Sequence, residues 1–425
     1  MLVKGILKNK SVVDFLVMFL SNIIKKIIGF FREIILAYVF GSSIVYANFI
    51  LLKTVTDLFS QVPLGSALQA SLLGKFSKIY ASTKEKVSLS AVSSSSFELS
   101  WKLFLLSQLV QLPIVWYLQT DHLFLYILLS FALGFILSLN FFASVFMLIM
   151  QARGEFKKQA FVSTVDIFIS ALFLYPLSLL FGIVGIIISR SLGMLSILYK
   201  YIKPMLKENS GNPVVFGVKD FNISLMILGN FANIIMLISR FVAGMGDDNN
   251  ITFFNYSVIL LNTFLTAIII NLNTIVLRKL AIKKDVRLIF FSVGIALSLG
   301  LGLVFIVDVF GFDIVQFIFQ RGAFTLEDTI KTTSYAKDLS ISFVFIFIAS
   351  SLFQPYFSLA NKVIKRDSSI MASILVISII FLAIFFHFSG YTARENSLIM
   401  IYTLSIISMF LALFSSYSYF NITKR

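Results

Sequence analysis

Cysteine, histidine and charge are all scarce in this sequence. None of the 425 residues is cysteine. That excludes disulfides, thiolate metal sites, iron–sulfur clusters and cysteine nucleophiles together. The two histidines, His122 and His387, stand alone without metal-ligand spacing, and each reads as a lone aromatic at a membrane interface. Asp, Glu, Lys and Arg make up 13% of the chain, about half of the roughly 25% typical of soluble proteins. Neither GxxxxGK[ST] nor HExxH occurs, so no ATP site and no zinc-hydrolase motif is expected. No loop is large enough to hold a catalytic domain, and the chain reads as a non-enzyme without cofactor. Any energy input is expected from an ion gradient, the membrane potential or the substrate gradient.

What is abundant is apolar. Hydrophobic residues are 58% of the chain, with 48 Phe and 15 Tyr. A soluble or a disordered chain is excluded on that composition. One membrane span takes about 20 apolar residues, and the charge-poor stretches predict twelve helices. They lie near 11–40, 43–74, 99–119, 123–150, 158–181, 183–201, 220–243, 250–277, 287–308, 328–360, 369–389 and 396–420. The fold class is therefore an all-α polytopic membrane protein. No small-residue cleavage motif follows the first apolar core, so the first helix is expected to stay as an anchor.

The net charge of +15 is accounted for by topology. With a cytoplasmic N-terminus, 25 of the 35 Lys and Arg fall on cytoplasmic loops and ends, four fall on the opposite side, and six lie within spans. That is the positive-inside bias, and both termini are expected in the cytoplasm. The bilayer is the partner this implies, and nucleic acid is not. The polar stretches near 79–98 and 202–219 are the longest connections. The second divides the chain into an N-terminal six-helix lobe (1–204), a cytoplasmic linker (205–219) and a C-terminal six-helix lobe (220–425). A weak parallel repeat supports the division: Arg32, Gly41 and Asn48-Phe49 are echoed by Arg240, Gly246 and Asn255-Tyr256.

An ionisable residue at the centre of a span costs about 2.5–3.5 kcal/mol on insertion scales and needs a reason. The first helix carries Lys25, Lys26, Gly29, Arg32 and Glu33 on one stripe. Three cations with one carboxylate suit a wet cavity that receives an anion. The bland alternative is snorkelling of the lysines and a local Arg32–Glu33 pair. Lys53 and Asp57 are spaced i, i+4, either as a self-neutralised pair or as cavity groups. Arg240 falls late in the seventh helix, as an interface or a cavity residue. Arg190 and Asp166 are each isolated, and each is expected to be paired structurally rather than to carry function. Asn255, Asn262, Asn271 and Asn273 read as interhelical glue.

Phe319-Gln320-Arg321-Gly322-Ala323-Phe324-Thr325-Leu326-Glu327-Asp328-Thr329 resembles the RGAF-T-x-ED-T segment of the MurJ/MviN lipid II flippase family, within the multidrug/oligosaccharidyl-lipid/polysaccharide exporter superfamily. Thr325 with Asp328 has capping-box spacing, so Arg321, Gly322, Thr325 and Asp328 read as a structural motif at the outer mouth. Gly29-Phe30-Phe31-Arg32-Glu33 with Phe40-Gly41, Gly65 with Gln69, Gln151 to Phe156, and Asn255-Tyr256 are similar to further family segments.

The sequence departs from the family at three points. The family's arginine after NYA aligns with Ile259, its acidic neighbour with Val258, and the acidic residue opening its second helix with Tyr46. The family commonly has fourteen helices against twelve here. The resemblance implies two lobes around a central cationic cavity in the bacterial inner membrane. It implies alternating-access flipping of an undecaprenyl-pyrophosphate-linked glycan, either lipid II or a cell-surface polysaccharide unit. Lys25, Lys26, Arg32 and Lys53 would then hold the pyrophosphate, with Glu33, Asp57, Arg240 and Asn255 in cavity or coupling roles. Envelope-biosynthesis proteins are the expected partners. The alternative is a cation-coupled multidrug antiporter of the same superfamily.

Overall fold

The computed structural model describes residues 10–64, 72–73, 76–77, 80, 87–118, 122–207, 212–246, 249–264, 269, 287–353 and 362–423. Among them the chain is helical apart from turns and one two-residue parallel bridge, Val87–Ser88 with Asn212–Pro213. The helices are α1 (Lys10–Phe40), α2 (Ile44–Leu64), α3 (Leu89–Tyr117), α4 (Leu123–Ala152), α5 (Phe156–Phe181) and α6 (Ile183–Leu206). They continue with α7a (Ile223–Gly229), α7b (Phe231–Ala243), α8 (Asn250–Phe264), α9 (Arg287–Phe319), α10 (Leu326–Leu352), α11 (Lys362–Ser389) and α12 (Ala393–Thr423). Among the described residues, eight helices are long and apolar enough to cross a membrane, or nine if the bent pair α7a–α7b counts as one span. α1 and α2 fall outside that set, being interrupted by Lys25, Lys26, Arg32 and Glu33, and by Lys53 and Asp57.

Several boundaries differ from those read in the sequence; α11, for one, starts at Lys362 rather than near 369. α3 starts at Leu89 rather than near 99, because Leu89, Val92, Ser95, Ser96 and Leu99 form one buried stripe. The serines do not break it: Ser96 Oγ donates to its own helix, at Val92 O 2.7 Å away. α9 runs on past 308 to Phe319, since Ile289, Ser292, Ala296, Gly300, Leu303, Val307, Gly311, Val315 and Phe319 continue one stripe. The seventh helix is broken, with α7a and α7b meeting at 77°. The break falls at Gly229-Asn230, where Asn230 Nδ2 donates back to Met226 O at 3.0 Å. Gly65, Gln69, Asn271 and Asn273 lie outside the described residues.

The chain divides into two compact units. The first comprises residues 1–39 and 55–222, the second residues 40–54 and 223–425. In the first, α3 packs on α4 and α5 on α6. Small residues let the second pair approach closely: Gly185, Ser189 and Gly193 recur every fourth residue on α6. A Cβ at Gly185 would sit 2.1 Å from Leu177 O, and one at Gly193 would sit 2.6 Å from Asp166 O. Polar groups join α3 to α4: Ser130 Oγ lies 3.0 Å from Gln108 Oε1 and 2.8 Å from Gln111 Oε1. Gln111 Nε2 in turn donates to Thr56 Oγ1 at 2.6 Å. The connection after α6 docks on this unit through buried Phe216, edge-on to Phe76. In the second unit α9, α8 and α12 pack around α10, and α7b packs on α12.

Candidate functional site

The residues singled out from the sequence divide between the units. Lys25, Lys26, Arg32, Glu33 and Asp57 belong to the first. Lys53, Arg240, Asn255 and the Arg321–Asp328 motif belong to the second.

In the first unit, α1 turns Lys25 and Arg32 away from its exposed stripe of Leu20, Ile27, Phe31 and Tyr38. Lys25 Nζ donates to Ser163 Oγ on α5 at 3.2 Å. One turn earlier, Ser21 Oγ donates to Ala160 O at 3.0 Å and lies 2.7 Å from Thr164 Oγ1. Lys26 points to a more exposed side of the helix. Arg32 Nη2 pairs with Glu33 Oε1 at 3.3 Å, while among the described residues its buried Nε has no acceptor. Opposite this stripe stand Asp166 of α5 and Arg190 of α6, paired at 3.8 Å. Arg190 is within electrostatic reach of Asp166, Arg32 and Asp57. The first unit thus gathers charge from α1, α2, α5 and α6. Sequence reasoning found the α1 stripe and read Asp166 and Arg190 each as structurally paired; that they pair with one another is seen only in the structure. The proximity of Arg190 to Arg32 comes from helix packing, and no local spacing announces it.

In the second unit Arg240 is buried and held. Its Nε donates to Thr54 Oγ1 at 2.8 Å, and its Nη1 donates to Asn255 Oδ1 at 2.7 Å. The structure therefore brings Arg240 and Asn255 together and ties both to α2. Ile259 is half-buried on α8 beside buried Val258. Tyr46, where the family carries an acid, is buried in an aromatic cluster, stacked on Phe40 at 5.5 Å and 6.2 Å from Tyr256.

The Arg321–Asp328 motif forms a complete capping box on α10. Asp328 N donates to Thr325 Oγ1 at 3.2 Å, and Thr325 N donates to Asp328 Oδ2 at 2.8 Å. The other carboxylate oxygen of Asp328 accepts from Ser42 Oγ at 2.6 Å, so the cap also holds the turn between α1 and α2. Gly41 sits in that turn at φ +53°, and a Cβ on it would lie 2.3 Å from Ala323 O. Tyr256 donates its hydroxyl to Gly41 O at 3.3 Å. Arg321 donates to Phe317 O at 2.9 Å and packs over the Phe317 ring. A polar cleft of about 760 Å³ opens beside the cap, lined among others by Asn249, Glu327, Lys331, Tyr335 and Arg394. Its cations are already engaged: Lys331 with Glu327 at 2.7 Å and Arg394 with Asp338 at 2.8 Å. Among the described residues no cluster of His, Asp and Glu is arranged to hold a metal ion.

No protein-family model matches the sequence, and neither does any curated protein. Solved structures do match. A structure described as the lipid II flippase MurJ in an inward closed conformation aligns with a TM-score of 0.70 at 19% identity, over 94% of this chain and 87% of that one. An inward-facing multidrug resistance MATE family transporter of the MOP superfamily aligns with a TM-score of 0.58 at 14% identity, over 96% of both chains. A MATE transporter in complex with MaL6 aligns with a TM-score of 0.57 at 12% identity, over 97% of both. The chain thus has the fold shared by MurJ and the MATE transporters.

Proposed function

We propose that the chain is a flippase. It moves an undecaprenyl-pyrophosphate-linked glycan, lipid II or a related cell-surface polysaccharide unit, from the cytoplasmic to the outer leaflet of the bacterial inner membrane. Its twelve helices act as two six-helix lobes in alternating access. The observation that carries this reading is the concentration of cations within the first unit. Lys25, Lys26 and Arg32 stand on one helix, and among the described residues Arg32 Nε is buried without an acceptor. A pyrophosphate supplies such an acceptor. Arginine suits its paired oxygens, and lysine acts as a point charge beside it. The likeness to MurJ in fold supports a transporter rather than an enzyme.

The antiporter reading has one observation in its favour. Asp166 is buried, and among the described residues its Oδ1 has no hydrogen-bond partner; such a carboxylate suits a coupling cation.

Complementation separates these readings. The resident lipid II flippase is depleted from a bacterium, this chain is expressed, and its presence in the membrane is verified. Survival that requires Arg32 supports lipid II as substrate. Absence of rescue assigns the chain to another lipid-linked glycan. Export of a cationic dye that is lost in Asp57→Asn would overturn the flippase reading.

A further inference from the structure

Arg190 faces inward. Taking 100° per residue, it lies about 170° round α6 from the exposed stripe of Leu192, Leu195 and Tyr199. It also shares the side of the helix that buries Ile183, Met194 and Ile197. Even so, 28% of its side chain is open. An inward-facing arginine with open surface adjoins solvent-sized space rather than packed side chains. Its donors are unspent as well: among the described residues the guanidinium makes no hydrogen bond, and its ion pair with Asp166 is loose at 3.8 Å. The partner is equally under-used. Asp166 is 7% exposed, Oδ2 faces Arg190, and Oδ1 has no hydrogen-bond partner. Burying a carboxylate with an unspent acceptor beside a loosely paired guanidinium is costly. Packing nonetheless holds them there, because Gly193 leaves only enough room for the Asp166 carboxylate, 2.7 Å from where a Cβ would stand.

We infer that Arg190 is a second anion-contacting arginine beside Arg32, and that Asp166 is its resting counter-ion, from which a pyrophosphate takes it over. This rests on the flippase reading and names a binding residue and a positioning residue for it. A guanidinium offers five donors in a planar fork, and a pyrophosphate offers several charged acceptors. The ligand therefore converts one loose pair into several charge-assisted hydrogen bonds. In the empty protein Asp166 neutralises Arg190, and in the loaded protein it competes for it.

Competition gives the test a signature that a merely structural pair lacks. Binding of undecaprenyl pyrophosphate to the purified full chain in nanodiscs is measured for wild type, R32A, R190Q, R190K, D166N and D166N/R190Q. Each variant is first checked for a monodisperse profile. R190Q is expected to weaken binding by about tenfold or more, the usual scale for losing a hydrogen bond to a charged group. R190K is expected to retain part of it. D166N is expected to tighten binding, by about threefold or more, because the competitor is gone while the cation stays. The double variant should bind like R190Q. If R32A weakens binding while R190Q and D166N both leave it unchanged, the role of Arg190 is overturned and the flippase reading stands. If D166N weakens binding as much as R190Q does, the pair is structural and the inference fails. If the wild type does not bind the probe, both readings fall.

Discussion

An arginine inside an apolar helix must find acceptors, and the two units solve this differently. Arg240 is buried and fully engaged, between Thr54 and Asn255, which makes it a fastener between α2, α7b and α8. Arg32 and Arg190 keep donors in reserve. The room for the second arrangement comes from glycine. Gly193→Val would drive a side chain into the Asp166 carboxylate and backbone. Overpacking of this kind costs about 1–3 kcal/mol, so a thermal melt in detergent should show a clear loss. Gly294→Ala on α9 meets nothing within 4 Å and is the matched control, with a stability equal to wild type or slightly higher. At this scale the sequence was half legible. Offsets within one helix placed Lys25, Lys26, Arg32 and Glu33 on a common stripe, though Lys26 is the more exposed of them. Which far-off residues face that stripe depends on helix packing, and Arg190 and Asp166 sit on helices distant in the chain.

Helix ends and helix contacts follow local chemistry more closely. The capping box on α10 was readable from Thr325 and Asp328, because a cap involves residues three apart. Its second task was not readable, since the Ser42 hydroxyl on Asp328 and the Gly41 turn against Ala323 are long-range contacts. Thr325→Ala removes the cap acceptor and should lower stability by about 1 kcal/mol, with Thr325→Ser close to neutral in the same melt. Gly41→Ala adds a Cβ against the Ala323 backbone at a positive φ. It should be the more damaging of the two, at about 1–3 kcal/mol. Between α3 and α4, Ser130→Ala takes a hydroxyl away from Gln108 and Gln111; the expected cost is about 0.6 kcal/mol, the usual size for a polar contact between membrane helices. The serine run before 99 misled the reading of α3, because serine propensity favours turns. A buried stripe at helical spacing overrides that preference once its neighbours are in place. The break at Gly229-Asn230 was hidden for the converse reason, as the residues directly flanking it, Ile227-Leu228 and Phe231-Ala232, are apolar.

At the scale of the molecule, the charge pattern along the chain and the fold give complementary information. The fold is that of MurJ and MATE transporters, and the lysine and arginine distribution predicts its orientation. A C-terminal green fluorescent protein fusion should fluoresce and a C-terminal alkaline phosphatase fusion should be inactive; the reverse would invert the topology. The proposed flippase function stands on the claim that the cations of α1 receive a pyrophosphate. The most direct measurement is translocation in proteoliposomes loaded with a fluorescent undecaprenyl-pyrophosphate disaccharide on one leaflet, scored by quenching from outside. The account predicts transfer between leaflets with the wild-type chain, transfer lost in Arg32→Ala, and no transfer of a neutral undecaprenol probe. Equal transfer of both probes, or wild-type transfer in Arg32→Ala, would contradict it.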